Sequence, residues 1–309
     1  MRAEGGLLSG LVDHDGALDS SSSLAIVPWW SFTKTLLAAC VLRLSERRLI
    51  ALDAPLAGQP FTVRQLLQHR AGVGNYGGLA DYHAAVARGE RPWPVDELLK
   101  RIPVEECRVA PGTGWAYSNI GYLLLRQEVE RVTGTSLAQA LSTLVLRPLG
   151  LEAARIAETA DDMQRTALHP PHVYDPGWVY HGCIIGPVSE AALALHRLLT
   201  GTLLAPASLA AMSCRFPVGG SLPGRPWMTT GYGLGVMVGA MQDCRDTSPV
   251  EVVGHSAGGP GSTGAVYSAV TAAGRRTAAA FAGGNDEGVA EFDVLRILQS
   301  GKLGRELPR

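Results

Sequence analysis

Lysine is nearly absent from this chain of 309 residues: Lys34, Lys100 and Lys302 are the only three, and arginine carries the remaining positive charge. Basic and acidic residues number 27 and 28, giving a net charge of −1 with no block of like charge. That balance argues against a polybasic nucleic-acid surface and against an acidic tail. The five cysteines (Cys40, Cys107, Cys183, Cys214 and Cys244) are odd in number, widely spaced and without a CxxC pair. They suggest reduced thiols rather than a disulfide framework or a zinc site. No apolar run is long enough to span a membrane, since Leu36 to Leu42 stops at Arg43. The start, Met1-Arg2-Ala3-Glu4-Gly5-Gly6, lacks a basic stretch followed by an apolar one, so no signal peptide is visible and a cytoplasmic protein is expected.

What is present is a core. Hydrophobic residues make up 46% and charged residues 18%, a folded composition rather than a disordered one. The scarcity of lysine draws attention to Lys34, which stands three residues after Ser31 in Trp30-Ser31-Phe32-Thr33-Lys34 and opens an apolar run from Leu36 to Leu44. On a helix, that step puts both side chains on one face. The serine hydroxyl then has an amine beside it and a helix N-terminus behind it, both of which favour an alkoxide. Ser31 is thus the candidate nucleophile.

An acylating serine also needs a second acid–base group and donors for an oxyanion. Tyr117 offers a phenol that serves as a base if nearby cations lower its pKa. Asn119, two residues on, has a donor and an acceptor for a substrate carbonyl or amide. Val252 to Gly261 reads as a strand edge entering a glycine-rich turn, with His255, Ser256, Ala257 and Gly258 at its centre.

Along the chain, Leu7 to Val12 and Leu24 to Val27 suggest a short hairpin around Asp13-His14-Asp15-Gly16. A helix follows Ser31 to about Arg47-Arg48, and Thr62 caps another. Residues 72–82 read as a glycine- and tyrosine-rich loop. Helices are expected over Val95 to Ile102, from about Ile120 to Val132, from Thr135 or Ser136 to Pro148, over Ser189 to Leu199 and over Val289 to Leu298. Apolar, glycine-punctuated segments at 232–239, 250–254, 263–270 and 277–282 read as strands. The order predicts an α+β architecture with a helical lobe inserted in a lobe built on an antiparallel sheet.

The three polar motifs together resemble those of the penicillin-recognising serine hydrolases, which include class C β-lactamases, family VIII carboxylesterases, DD-peptidases and D-aminopeptidases. Ser31-Phe32-Thr33-Lys34 is similar to their SxxK motif, Tyr117-Ser118-Asn119 to YxN, and His255-Ser256-Ala257 to the KTG or HxG position. Leu66 to Gly72, Pro111 to Tyr122, Tyr232 to Gly235 and Gly259-Pro260-Gly261 match supporting stretches, so the resemblance spans about Trp30 to Gly284.

The resemblance implies a β-lactamase/transpeptidase-like fold in one domain over 1–309, with an α/β lobe (about 1–58 plus 185–309), a helical lobe (59–184) and the active site between them. It implies Ser31 as the acylated residue, Lys34 as its acid–base neighbour, and Tyr117 as the base that later protonates the leaving group. Asn119 and His255 would contact substrate, and the N–H groups of Ser31 and Gly258 would bind the oxyanion. Trp30, Trp178, Tyr180 and His181 are further candidates for the cleft wall. No cofactor or metal is implied, and the partner is a small ester, amide or lactam. Two departures stand out: Ala257 replaces the usual glycine, where its methyl is expected to crowd a ligand, and the region before Ser31 is short.

Three other readings remain. Gly254-His255-Ser256-Ala257-Gly258 spells GxSxG, a nucleophile elbow, but no histidine follows His255 and Gly259-Pro260-Gly261 breaks the helix that elbow requires. His169-Pro170-Pro171-His172 lacks partners at metal-binding spacing and reads as a loop. The fold also serves as a non-catalytic sensing module. Penicillins and D-Ala-D-Ala peptides carry a carboxylate, which a histidine in the third motif meets with only part of a charge near neutral pH. Small carboxylic esters are therefore the leading substrate class, with β-lactams and D-amino-acid peptides as the rival.

Overall fold

The computed structural model describes residues 6–102, 110–243 and 248–304; Cys107 and Cys244 lie outside them. Its main sheet has seven strands: β1 (Leu8–Val12), β5 (Phe216–Gly219), β6 (Trp227–Tyr232), β7 (Met237–Met241), β8 (Val250–Gly259), β9 (Ser262–Thr271) and β10 (Gly274–Gly283). Their order is β1-β10-β9-β8-β7-β6-β5, antiparallel throughout. A second sheet joins β2 (Ile26–Pro28), β3 (Arg155–Ile156) and β4 (Ile184–Pro187) in the order β2-β4-β3.

Ten α-helices accompany the sheets among the described residues: α1 (Thr33–Glu46), α2 (Val63–Leu67), α3 (Ala80–Ala87), α4 (Val95–Arg101), α5 (Asn119–Thr133), α6 (Leu137–Leu141), α7 (Ala160–Gln164), α8 (Val188–Thr200), α9 (Pro206–Ser213) and α10 (Glu287–Ser300). Strand β10 shows why helices cover both faces of the main sheet. Its side chains alternate, as a period of two requires. Ala278 and Ala280 face the cluster built with α10, whereas Ala279 and Phe281 face the larger core that includes α1 and α8. Small alanines let each helix approach the strands closely.

Helix α1 is apolar on all sides, with Leu36, Leu37, Val41, Leu42 and Leu44 buried, as expected of a helix inside the core. It is pinned to the sheet where Thr35 Oγ1 donates to the Gly235 carbonyl at 2.8 Å. Gly235 has φ of 78°, and a Cβ there would stand 2.3 Å from that of Ala38, so glycine is required on both counts. Among the described residues no helix is long and apolar enough to cross a membrane.

Several local expectations change in the structure. The predicted N-terminal hairpin does not form: β1 pairs with β10 and β2 with β4, leaving one bridge, Val12 to Leu18, across the turn. The short N-terminal region therefore still supplies the edge strand of the main sheet. Segment 232–239 is the end of β6, a turn and the start of β7, not one strand. Within the expected loop at 72–82, a helix begins at Ala80 and continues to Ala87. The expected helix ending at Pro148 is α6 followed by a π-turn over Ser142–Leu146.

Candidate active site

Strand β2 delivers the chain into Trp29-Trp30-Ser31, and its pairing with β4 brings residues 181–184 alongside. The Trp29 N–H donates to the Ile184 carbonyl at 2.8 Å, and the Ile184 N–H donates to Thr33 Oγ1 at 2.9 Å. Ser31 then sits in a 3-10 turn, Trp30–Phe32, that runs into α1. Trp30 has φ of +40°, a strained conformation for a tryptophan. Its ring covers Gly259, where a Cβ would lie 2.4 Å away, and its Nε1–H donates to Ser262 Oγ at 2.9 Å. Strand β8 thereby fixes the backbone that presents the serine.

Three side chains from distant parts of the chain converge. Lys34 Nζ is 3.1 Å from Ser31 Oγ, Tyr117 OH is 2.9 Å from the same oxygen, and His181 Nε2 is 3.0 Å from Lys34 Nζ. Lys34 is fully buried, and burial pushes its pKa well below the ordinary 10.5. Burial also raises the Tyr117 phenol, an effect its hydrogen bond to Ser31 opposes only in part. The cations that were to lower the phenol's pKa are thus missing, because the nearby amine itself favours the neutral form. His181 is a neighbour of Lys34 as well as part of the cleft wall.

Tyr117 and Asn119 are placed by the start of α5. Ser118 caps that helix by accepting from the Gly121 N–H at 2.9 Å, and its hydroxyl donates to the Gly74 carbonyl. The Ser118 N–H donates to His69 Nδ1 at 3.1 Å, while the His69 ring lies against that of Tyr117 with centroids 4.3 Å apart. His69 has φ of 57° at the end of α2, a position that usually favours glycine. Asn119 Nδ2 donates to Asn75 Oδ1 at 3.1 Å, and the Asn119 N–H reaches the same oxygen. His69 and Asn75 were not singled out from sequence. The supporting match over Leu66 to Gly72 was the available signal for the first; the second carried none.

Gly258, Ser31 and Asn119 all border two connected depressions of about 500 and 410 Å³. The larger is walled by Trp30, Tyr76, His181, Tyr174 and the Pro170-to-Val173 loop, and the smaller by Trp115, Tyr117, Tyr232, His255, Arg225 and Glu287. β7 pairs with β8 only up to Gly254, so from His255 to Gly258 that strand edge has no β7 partner and borders the cleft. Among the described residues no cluster of His, Cys, Asp and Glu could hold a metal.

His255 is neutral. Its Nδ1–H donates to the Ser256 carbonyl at 2.5 Å, Tyr232 OH donates to Nε2 at 2.8 Å, and burial lowers its pKa to about 3. Burial likewise holds His69 and His181 well below 6.5. The sign of the consequence follows from linkage. Below about pH 6.5 the unfolded chain binds protons that the folded chain refuses, so stability falls with pH, by about 1.4 kcal/mol per pH unit for each such histidine. For His255 the loss continues to about pH 3. Urea midpoints should drop steadily from pH 7 to 5.5, and a flat profile there would contradict neutral, buried imidazoles.

Three expectations need correction. Trp178 does not line either depression: it is 1% exposed, packs on Tyr82 and Trp93, and donates to the Glu90 carbonyl. Tyr180 is likewise a packing residue, its hydroxyl held by the Trp93 carbonyl at 2.9 Å. Ala257 does not crowd the cleft, because its methyl is 1% exposed and points into the core. The structure agrees with setting the elbow reading aside: Ser256 lies within β8 with its hydroxyl bonded to Glu291 and 2.6 Å from Tyr267 OH.

The antiparallel sheet with helices on both faces, and a serine turn at the start of the central helix, define a β-lactamase/transpeptidase-like fold. The model of the Beta-lactamase family matches residues 22–299, so the chain belongs to that family. Esterase EstB of Burkholderia gladioli is 35% identical over 142 residues, covering 39% of this chain and 36% of that protein. A D-aminopeptidase of Brucella anthropi is 30% identical over 96 residues, covering 31% of this chain and 18% of that one. The chain thus spans about a third or less of these relatives' length. Among solved structures, a D-stereospecific amidohydrolase from Streptomyces sp. shares the fold, with a TM-score of 0.73 at 22% identity over 96% of this chain and 94% of that one.

Proposed function

We propose that the protein is a serine hydrolase that cleaves small carboxylic esters, or amides, through an acyl-enzyme on Ser31. The observation that carries this is the single hydroxyl flanked by a buried amine at 3.1 Å and a phenol at 2.9 Å. The relatives' names, an esterase and a D-aminopeptidase, are in keeping with it.

The pKa directions order the proton transfers. Lys34, driven toward the neutral form by burial, takes the Ser31 proton as Oγ adds to the substrate carbonyl. The oxyanion lies against the backbone N–H groups of Ser31 and Gly258. Tyr117, kept protonated, gives its proton to the departing oxygen or nitrogen and is reprotonated at the expense of the Lys34 ammonium. The net change is the substrate ester or amide exchanged for the Ser31 ester, with the serine proton leaving on the alcohol or amine. Water then enters by the reverse sequence and releases the acid.

Esters are favoured over carboxylate-bearing β-lactams because, among the described residues, the cleft offers no unpaired cation. His255 is neutral, and the Arg225 guanidinium is engaged by the carboxylates of Glu287 and Glu291. A comparison of kcat/KM for p-nitrophenyl butyrate, nitrocefin and D-alanine p-nitroanilide tests the assignment. Ester turnover should exceed nitrocefin turnover; much faster nitrocefin turnover would replace the esterase reading with a β-lactamase.

A further inference from the structure

The smaller depression contains a charge that the reaction outlined above does not use. Arg225 reaches Glu291 through both Nε and Nη2, and Glu291 is fully buried, with additional donors in Trp227 Nε1 and the Ser256 hydroxyl. That bidentate contact balances the guanidinium charge. The remaining Nη1 contacts Glu287, whose side chain stays 36% exposed at the cleft. One guanidinium against two carboxylates leaves one negative charge, and the accessible carboxylate is that of Glu287. A Cβ on Gly258 would stand 3.2 Å from Glu287 Oε1, so this oxygen overhangs the strand edge beside the nucleophile. The same wall carries the rings of Trp115 and Tyr232, and the Trp115 Nε1–H is buried without a hydrogen-bond partner.

The side of the scissile bond follows from Tyr117. It lines the smaller depression and not the larger, and it is the group that protonates the departing atom. The leaving group therefore occupies the Glu287 side, and the acyl group the side of Tyr76 and Tyr174.

We infer that this half of the cleft is a cation-accepting subsite, in which Glu287 and the neighbouring rings select esters or amides whose leaving alcohol or amine bears an alkylammonium group. The inference rests on the Ser31 acyl-enzyme reading and adds the substrate class. A carboxylate beside aromatic faces attracts such a cation through both its charge and the ring quadrupoles. The same surplus charge repels the leaving-group carboxylate of a peptide or depsipeptide.

The test compares butyrylcholine with 3,3-dimethylbutyl butyrate, which has the same shape with carbon in place of the cationic nitrogen. In the wild type, kcat/KM for the cationic ester should exceed that of the neutral one roughly tenfold at low salt, the scale of a part-exposed ion pair plus a cation–π contact. The ratio should shrink toward one in Glu287→Gln. It should also shrink in the unaltered enzyme as ionic strength rises from 20 to about 500 mM, which keeps the test open should the variant fail to fold. A wild-type ratio at or below one, or a ratio that neither substitution nor salt changes, overturns the subsite while leaving Ser31 catalysis standing. Failure to hydrolyse these two esters and p-nitrophenyl butyrate alike overturns the acyl-enzyme reading, and the subsite with it.

Discussion

Ser31→Ala should abolish turnover of p-nitrophenyl butyrate, lowering kcat by roughly 10³- to 10⁶-fold, the range seen when a nucleophile is removed from a preorganised site. The fold should be little affected. The hydroxyl sits at the cleft and, among the described residues, is hydrogen-bonded to Lys34 and Tyr117, so its loss costs about 1 kcal/mol or less. Ser256→Ala should behave in the opposite way. That hydroxyl is buried between Glu291 and Tyr267, and removing it deprives a buried carboxylate of a donor, at about 1–3 kcal/mol. Its kcat on a neutral ester should stay within roughly tenfold of wild type. Thermal melts and kcat measured on both variants separate the two serines; retained activity in Ser31→Ala would overturn the assignment.

Lys34→Met should lower kcat about 10²- to 10⁴-fold by removing the group that accepts the serine proton. Stability should fall by about 1–3 kcal/mol: methionine fills the buried volume without a polar head to desolvate, but the contacts to Ser31 and His181 are lost and the buried His181 Nε2 is left without its partner. The pH profile gives a sharper readout. In the wild type the protonated amine cannot accept a proton, so kcat/KM falls on the acid side, as pH drops through the Lys34 pKa. Burial places that fall well below 10.5. The limb should vanish in Lys34→Met. An unchanged acid limb would transfer the role of base to another group.

The convergence of Ser31, Lys34 and Tyr117 was legible in the sequence because each member lies in a short motif whose spacing has local meaning. Ser31 and Lys34 share a helix face, and Ser118 caps the helix that begins beside Tyr117. The α+β class and the last three strands were legible for the same reason, as apolar runs bounded by glycine. What was hidden depends on pairing between remote segments. His181 meets Lys34 only because β2 pairs with β4 across 150 residues or more. Glu287 and Glu291 each look like an exposed residue on a C-terminal helix until Arg225 is brought to them. The N-terminal hairpin failed because β10 offers β1 a longer edge than Leu24 to Val27 could, with five paired residues. Trp178 and Tyr180 were misjudged because aperiodic aromatic segments look alike whether they line a cleft or support it.

Electrostatics reverses one role that the motifs alone suggested. A phenol serves as base where cations surround it, yet here Lys34 is buried without a carboxylate partner among the described residues and its amine is driven toward the neutral form, while the Tyr117 phenol is driven to stay protonated. Amine as base and phenol as acid is the arrangement these directions favour, and the acid limb of the Lys34→Met comparison distinguishes the two.

Peptide mapping by mass spectrometry after brief exposure to a fluorophosphonate tests the central claim most directly. The account predicts one adduct, on the peptide containing Ser31, formed at a rate that falls as pH drops through the Lys34 pKa. No adduct, or an adduct on Ser256, would contradict it.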